Sequence, residues 1–299
     1  MNFTIVGIGE VLWDLLPAGA QLGGAPANFA YHAQALGAQA RVVTRVGSDR
    51  LGQEVLRRFE EMHLPVATVQ IDDERPTGTV AIALSADGIP QFTIHEDVAW
   101  DRLVVTDQAL QTVRQADAVC FGSLAQRAPG SRATIQELLA AAPKEAWRIF
   151  DVNLRQNFYS REVIEQSLRL ANVLKLNDDE LVLLTRILAL PGDVRVQIEF
   201  IAKTFGLRLV VLTCGPNGSL IYRDGCWLEQ ASPPAQIVDT VGAGDAFTAA
   251  LVLGLLHQID LAEVHGFATE LASYVCSQPG ATPSLPQKFR SKFAAAIRV

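Results

Sequence analysis

Asp239-Thr240-Val241-Gly242-Ala243-Gly244-Asp245-Ala246-Phe247 is a glycine-rich stretch that leads directly into an apolar segment, which we predict to be a buried helix over 243–257. The glycines at 242 and 244 leave the backbone unobstructed, so the free N–H groups of the first helical turn can converge on an anion. The sequence contains no Gly-Lys-Ser or Gly-Lys-Thr, which excludes a P-loop. The stretch therefore predicts a phosphate cradle without a lysine.

Asp245 lies inside this predicted cradle, where its charge would compete with a phosphate unless it has a separate task. A carboxylate beside a bound phosphoryl group can accept the proton of an attacking hydroxyl, while the amides stabilise charge on the transferring oxygens. The alternative is that Asp245 is a helix-capping residue in a glycine turn. The local pattern leaves both interpretations open.

Strands and helices alternate along most of the chain. A strand at 3–9 is followed by a helix at 26–36 that begins with a proline and ends before Gly37, and the alternation resumes from 118 to 214. Strands that alternate with helices indicate a parallel sheet covered on both faces. We therefore expect one α/β domain over 1–299.

A different pattern interrupts this alternation. Short runs at 68–71, 78–84 and 91–94 are separated by turn residues, among them Ala86-Asp87-Gly88, and are typical of hairpins. We interpret 67–100, together with 11–22, as a small β lid on the larger α/β body. A plain surface hairpin is the alternative.

The composition excludes several other classes of protein. With 49% hydrophobic and 19% charged residues among 299, the chain is globular rather than disordered. Its 25 basic and 32 acidic residues give a net charge of −7, without the basic footprint of a duplex-DNA binder. The apolar run 249–256 is far shorter than the about 20 residues that span a bilayer. Dispersed cysteines without a C-x-x-C pair and the lack of a basic leader favour the cytoplasm.

A second glycine-containing motif, Gly23-Gly24-Ala25-Pro26-Ala27-Asn28, precedes the first helix. Its paired glycines allow a ligand to approach the backbone, and Asn28 offers both a donor and an acceptor, which suits a polyol. Two glycines before a helix also form ordinary turns, so this motif alone has a second interpretation.

These two motifs resemble the two signatures of the ribokinase-like (PfkB) carbohydrate kinases. Val46-Gly47-Ser48-Asp49-Arg50-Leu51-Gly52 resembles a further hallmark of that family, and the resemblance covers essentially the entire chain. It implies transfer of the γ-phosphoryl group of ATP to a sugar hydroxyl. It also implies a mostly parallel central sheet flanked by helices, with a β-sheet lid that in relatives often mediates dimer contacts.

The resemblance also implies roles on the sugar side of the site. Asp245 would be the general base, and the turn at Gly242, Ala243 and Gly244 would be the anion hole. Arg155 lies in Phe150-Asp151-Val152-Asn153-Leu154-Arg155, which is similar to a stretch common in fructokinases and 2-keto-3-deoxygluconate kinases. The residues implied to bind the sugar are Asp14, Gly23, Gly24, Asn28 and Arg155.

On the nucleotide side, Asn177-Asp178-Asp179-Glu180 resembles the family's N-x-x-E motif, in which the glutamate organises water around Mg²⁺. The same residues are also a helix N-cap followed by acids that compensate the helix dipole. Thr213, Gly215 and Gly218 resemble the loop that borders the nucleotide. Asp239 and Ser284 match regions that surround a monovalent cation, K⁺, in relatives.

The acceptor implied by the resemblance is fructose or a related ketose or keto-sugar acid. A nucleoside kinase of the adenosine type or a ribose kinase with the same fold would keep every phosphate-side feature. A sugar-binding regulatory protein that has retained the fold is a more distant alternative, because such a protein would not need the base at Asp245.

Overall fold

The computed structural model of the chain describes residues 3–16, 19–84 and 90–293. The predicted turn at Ala86-Asp87-Gly88 lies outside them. The strands, in chain order, are β1 (Thr4–Ile8), β2 (Leu12–Leu16), β3 (Gly19–Gly23), β4 (Gln39–Gly47), β5 (Val69–Asp72), β6 (Gly78–Leu84), β7 (Pro90–Ile94), β8 (Ala118–Phe121), β9 (Trp147–Asp151), β10 (Val173–Asn177), β11 (Leu209–Thr213), β12 (Ser219–Arg223) and β13 (Cys226–Gln230). The helices are α1 (Ala25–Ala35), α2 (Arg50–Glu61), α3 (Asp107–Arg114), α4 (Pro129–Ala141), α5 (Arg161–Leu170), α6 (Asp178–Leu188), α7 (Val194–Phe205), α8 (Ala243–Leu256), α9 (Leu261–Cys276) and α10 (Gln287–Arg290).

The larger sheet has nine strands in the part of the chain that the structure describes, in the order β13-β12-β11-β10-β9-β8-β1-β4-β5. All neighbours from β11 to β5 are parallel, whereas β12 and β13 are antiparallel additions at one edge. The mostly parallel sheet that the sequence predicted is confirmed. Because the strands are parallel, their carboxyl ends meet at one edge, where open α/β sheets bind ligands.

Helices cover both faces of this sheet. Alternate strand residues enter opposite cores: Ile5 packs with α1, α2, α8 and α9, whereas Val6 and Ile8 pack with α3 to α7. Central strands such as β1, β8 and β11 are largely apolar, because both of their faces are covered. Within the described residues, no helix combines the length and the apolar character needed to cross a bilayer.

The helix predicted from the glycine-rich stretch is α8. Residues 246–255 are all buried, because α8 lies between α1 and α9 on one face of the sheet. It begins after Gly242, whose φ of 80° lies in the left-handed region that favours glycine. The first turn of α8 lies near the carboxyl end of β10, because a Cβ at Gly244 would lie 2.8 Å from Nζ of Lys175 in that strand.

A small second sheet, in the order β3-β2-β6-β7, contains most of the segments that we predicted to form the lid. The prediction that the run at 68–71 joins it is wrong, because β5 pairs in parallel with β4 at the edge of the larger sheet. The buried Thr68 hydroxyl anchors that run by donating to the Val42 carbonyl, 2.7 Å away. Its use as a lid and as a dimer contact, and the single domain over 1–299, stay predictions.

The third motif, Val46–Gly52, connects the two sheets. The Asp49 carboxylate accepts hydrogen bonds of 2.8 Å from the amides of Gly52 and Thr77 and from the Thr77 hydroxyl. Thr77 directly precedes β6 of the small sheet. The Asp49 carboxylate therefore joins three elements: the end of β4, the start of α2 and the start of β6. A Cβ at Gly52 would collide with the Gly47 carbonyl oxygen in this packed joint.

We predict that Gly52→Ala lowers the free energy of unfolding by about 1–3 kcal/mol, because the added methyl group forces the backbone of the joint apart. Urea denaturation followed by circular dichroism measures this change. Gly130→Ala, in the first turn of α4, is the matched control, because its Cβ would meet nothing within 4 Å. Equal stability of the two variants would contradict the role assigned to this joint.

Candidate active site

The candidate site lies where the first turns of α1 and α8 meet the carboxyl ends of strands in the larger sheet. Asn28 in α1 donates from Nδ2 to Oδ2 of Asp245 in α8, at 2.9 Å. Asp151 ends β9 and Asn177 ends β10, so residues far apart in the sequence are brought to the same edge.

The glycine turn presents free backbone amides. Among the described residues, no side chain caps α8, and the amides of Gly244 and Asp245 have no hydrogen-bond acceptor. A Cβ at Gly242 would collide with the Ala281 carbonyl oxygen, so the chain near 281 packs directly against the turn. An uncapped helix N-terminus of this kind favours an anion through its N–H groups and its dipole.

Asp245 does not cap α8; its carboxylate is engaged by Asn28 instead. Burial, helped by the negative charge of Asp151, raises the pKa of Asp245 to about 6 against the opposing effects of Lys175, Asn28 and Arg155. A carboxylate with a pKa near neutrality can accept a proton efficiently at physiological pH.

Lys175 is a central residue of the site that the motif analysis missed. Its Nζ donates to Oδ1 of Asp151 at 3.0 Å, and both side chains are buried. Although burial lowers its pKa, the negative charges of Asp151, Glu180 and Asp245 outweigh that effect and raise the pKa of Lys175 above its usual range. A Cβ at Gly244 would lie 2.8 Å from Nζ, so a permanent positive charge lies directly against the glycine turn.

The predicted sugar residues gather around Arg155. The Asp14 carboxylate packs against Gly23, because a Cβ at Gly23 would lie 2.7 Å from Oδ2 of Asp14. Burial raises the pKa of Asp14, and the exposed guanidinium of Arg155 opposes that shift. Gly24 is the N-cap of α1, with a φ of 115°.

Glu10 is a second residue that the motifs did not identify. It is 2% exposed, and its Oε2 has no hydrogen-bond partner among the described residues. Burial raises the pKa of Glu10 to about 7, while Arg155 opposes and Asp245 reinforces the shift. Arg155 thus acts electrostatically on Glu10, Asp14 and Asp245 together.

Asn177 and Glu180 form the helix cap that one interpretation of the N-x-x-E motif predicted. The Asn177 side chain accepts from the Glu180 amide, and the Glu180 side chain accepts from the Asn177 amide, both at 2.8 Å. The other oxygen of Glu180 accepts from the Leu154 amide at 3.2 Å. The cap fixes this carboxylate beside Asp151 and Lys175; its use toward Mg²⁺ stays a prediction.

The remaining predicted nucleotide residues lie at the end of β11. The Thr213 hydroxyl is 3.4 Å from the Leu176 carbonyl oxygen, and the single 3₁₀ turn Gly215–Asn217 follows before Gly218. These residues lie one strand beyond Asn177, whose partner in the sheet is Thr213. Their contact with a nucleotide stays a prediction.

Asp239 is tied to the chain segment that contains Ser284. Its two carboxylate oxygens accept from the amides of Val241 and Gly280, at 3.0 and 3.1 Å. The Ser284 carbonyl accepts from the Tyr274 hydroxyl at 2.9 Å. Within the described ranges, no group of three or more His, Cys, Asp and Glu could hold a metal ion. The monovalent-cation role of Asp239 and Ser284 stays a prediction.

Comparisons with known proteins identify the family of the chain. The model of the pfkB family carbohydrate kinases matches residues 19–288. Fructokinase of Salmonella typhimurium is 29% identical over 267 residues, which cover 85% of this chain and 85% of that protein. The structure of an uncharacterized sugar kinase, PH1459, from Pyrococcus horikoshii in complex with ATP matches with a TM-score of 0.81 at 27% identity and covers 98% of this chain and 99% of that chain. The structure of fructokinase from Xylella fastidiosa with bound ATP matches with a TM-score of 0.85 at 23% identity and covers 100% and 99%.

The fold and the family match together define a phosphotransferase that acts on a sugar hydroxyl. The chain belongs to the pfkB family of carbohydrate kinases, in which it is fructokinase-like. The ribokinase-like fold implied by the sequence motifs is confirmed.

We predict that Lys175→Met lowers the free energy of unfolding by about 3–5 kcal/mol, because it leaves the Asp151 carboxylate buried without its partner. Urea denaturation at pH 7 measures the loss. The double variant Lys175→Met/Asp151→Leu should recover a substantial part of it, because neither charge then remains. The pairing would be contradicted if the double variant lowered the free energy of unfolding by the sum of the losses measured for the two single variants.

Proposed function

We propose that this protein transfers the γ-phosphoryl group of ATP to a hydroxyl of fructose or of a related ketose or keto-sugar acid. The observation that carries the proposal is the turn at Gly242–Gly244, which places unpaired amides beside the Asp245 carboxylate. An anion site and a base are both needed for phosphoryl transfer to an alcohol, and here they occupy one turn of helix.

Asp245 is the proposed general base. The sugar hydroxyl oxygen attacks the γ-phosphorus, its proton passes to the Asp245 carboxylate, and the bond from the γ-phosphorus to the bridging oxygen breaks to release ADP. The Asn28 amide holds the carboxylate from the side of α1, which fixes its direction. The amides of the turn stabilise negative charge on the transferring oxygens.

The sugar is proposed to lie between Asp14, Arg155 and the Gly23–Gly24 backbone. An acid and a guanidinium together offer acceptors and donors for neighbouring hydroxyls, and the two glycines allow the sugar close to the start of α1. The guanidinium of Arg155 also suits the carboxylate of a keto-sugar acid. Asn28 lies between these sugar-binding residues and Asp245, so it orients the accepting hydroxyl toward the base.

The residues present fit a Mg²⁺ ion that enters with the nucleotide. The Glu180 carboxylate is fixed by two backbone amides and retains lone pairs that can hold water on such an ion. When bound, the ion would neutralise phosphate charge. We propose Asp239 and Ser284 as the K⁺ site, because the bond from Gly280 to Asp239 holds the two segments together.

The proposed acceptor is tested by incubating the purified protein with ATP, Mg²⁺ and one of fructose, 2-keto-3-deoxygluconate, ribose or adenosine. We expect kcat/KM for fructose or the keto-sugar acid to exceed the values for ribose and adenosine by at least about tenfold, a modest difference in transition-state binding. Sugar phosphate is measured by mass spectrometry and ADP by a coupled assay. Preference for adenosine or ribose would overturn the acceptor, and ATP turnover that no acceptor stimulates would overturn the kinase activity.

We predict that Asp245→Asn lowers kcat by about 10²- to 10⁴-fold, the usual contribution of a general base, while ATP affinity stays within about twofold. Isothermal titration measures ATP binding, and urea denaturation verifies folding. Asp178→Asn, an exposed acid in the first turn of α6, is the control and should keep wild-type kcat. A variant at 245 that keeps more than about a tenth of wild-type kcat would exclude the assigned role.

The pH profile checks the same role independently. Because the base must be ionised and burial raises the pKa of Asp245 to about 6, kcat/KM should be constant above pH 7 and fall as the pH falls through about 6. An acidic limb near the ordinary aspartate value would show that another group titrates.

A further inference from the structure

Arg127 lies outside the predicted site, yet it connects the small sheet with the loop that carries Arg155. It follows β8 and the short 3₁₀ turn Leu124–Gln126, at the same edge of the larger sheet as the candidate site. Its side chain is only 6% exposed. A charge buried this deeply requires specific partners.

The first set of partners lies on the segment that leaves β7. Nε and Nη2 of Arg127 donate to the two carboxylate oxygens of Asp101, each at 2.8 Å, in a bidentate pair. Nη2 also donates to the His95 carbonyl at 2.6 Å. Arg127 therefore holds the chain between His95 and Asp101, which directly follows the small sheet.

The second set of partners is aromatic. The guanidinium lies 4.0 Å from the ring centre of Trp100 and 4.5 Å from that of Phe158. The flat guanidinium can stack on both rings while it holds a bidentate pair with Asp101, a combination that the compact ammonium of lysine does not offer. Arg127 thus joins rings from two different loops.

Trp100 extends this contact to the start of the small sheet. Its fully buried indole lies so close to Gly78 that a Cβ there would collide with Nε1. The Ala99 amide, next to it, donates to the Pro76 carbonyl at 2.8 Å. The segments before β6 and after β7 are therefore both held, directly or through Trp100, by Arg127.

Phe158 extends the contact in the other direction. Its amide donates to the Arg155 carbonyl at 3.0 Å, so Phe158 and Arg155 belong to one turn. The positive charge of Arg155 opposes the rise in the pKa of Glu10, Asp14 and Asp245. A displacement of this turn would alter both the Arg155 guanidinium and the Phe158 ring.

We infer that Arg127 is a positioning residue that couples sugar binding at Arg155 to the placement of the small sheet over the site. The inference rests on the proposed function, because it assigns Arg155 to the sugar. The coupling passes through the stacked side chains of Trp100, Arg127 and Phe158. A sugar that fixes the Arg155 turn also fixes Phe158. Because Arg127 contacts Phe158 and both ends of the small sheet, the position of the sheet is then fixed as well. A correctly placed sheet excludes water that would otherwise accept the phosphoryl group.

The test uses two variants. Arg127→Met removes the guanidinium group. Arg127→Lys keeps the charge but loses the bidentate pair with Asp101 and the stacking on the two aromatic rings. For both we expect the KM for the sugar to rise at least about tenfold, within the usual range of coupling between sites. ATP affinity should stay within about twofold, since the nucleotide residues are untouched. The amount of ATP hydrolysed per sugar phosphate formed should rise, which a purely structural role would not cause.

The control is Arg208→Met, which removes a comparable contact, 3.9 Å from the Trp147 ring, at the amino ends of β9 and β11 and therefore at the opposite edge of the sheet. It should keep the wild-type sugar KM and hydrolysis ratio. If Arg127→Met does not fold, as judged by urea denaturation, Arg127→Lys decides the question.

Wild-type values of sugar KM and of the hydrolysis ratio in folded Arg127 variants would overturn the coupling while leaving the proposed kinase activity intact. A wild-type protein that phosphorylates none of the sugars would instead overturn the proposed function. The two failures are therefore distinguishable in a single set of assays.

Discussion

The hydrogen bond between Asn28 and Asp245 is the contact on which the site depends. It joins the first turns of α1 and α8, which lie side by side on one face of the sheet although 217 residues separate the two side chains. Because α1 begins at the Gly23–Gly24 turn and α8 at the Gly242 turn, one hydrogen bond fixes the two glycine motifs relative to each other. Their relative position is therefore set by the packing of two helices rather than by flexible loops.

The site is organised as two groups of acids, each with one cation. Lys175 faces Asp151, Glu180 and Asp245, whereas Arg155 faces Glu10, Asp14 and Asp245. Asp245 belongs to both groups, which places the proposed base between the two positive charges. Burial raises the pKa of Glu10, Asp14, Glu180 and Asp245. The pKa reaches about 7 for Glu10 and about 6 for Asp245, so these two carboxyl groups can exchange protons near neutral pH.

Much of the fold could be predicted because local signals determine the ends of its helices. α6 begins after the helix N-cap predicted at Asn177, whose side chain accepts a hydrogen bond from a first-turn amide, as Asp193 does at the start of α7. Each helix ends at a residue in the left-handed region, Ala189 or Gly206. The hairpin of β12 and β13 was missed although its Asp224-Gly225 turn, with both φ values positive, is a recognisable signal. The partner of β5 could not be predicted, because a strand pattern does not specify which neighbour completes its hydrogen bonds.

The glycine motifs predicted where the site lies, but not which charges complete it. A lysine in an otherwise apolar strand, Val173 to Leu176, was the available signal for the pair with Asp151, since buried charges require partners. Glu10 gives a weaker signal, because an acid after a strand is ordinarily solvated, and only the packing of α1 against β1 buries it. Arg127 has no motif at all; its partners come from segments that meet only in the folded chain.

The contact between Gly242 and the Ala281 carbonyl oxygen links the turn before α8 to a second helix. The same oxygen lies 2.9 Å from Nε2 of the buried His32 in α1, so α1 and the turn before α8 both pack against one backbone atom. A side chain larger than glycine at 242 would displace the Ala281 backbone from His32, so one substitution before α8 would also disturb the packing of α1.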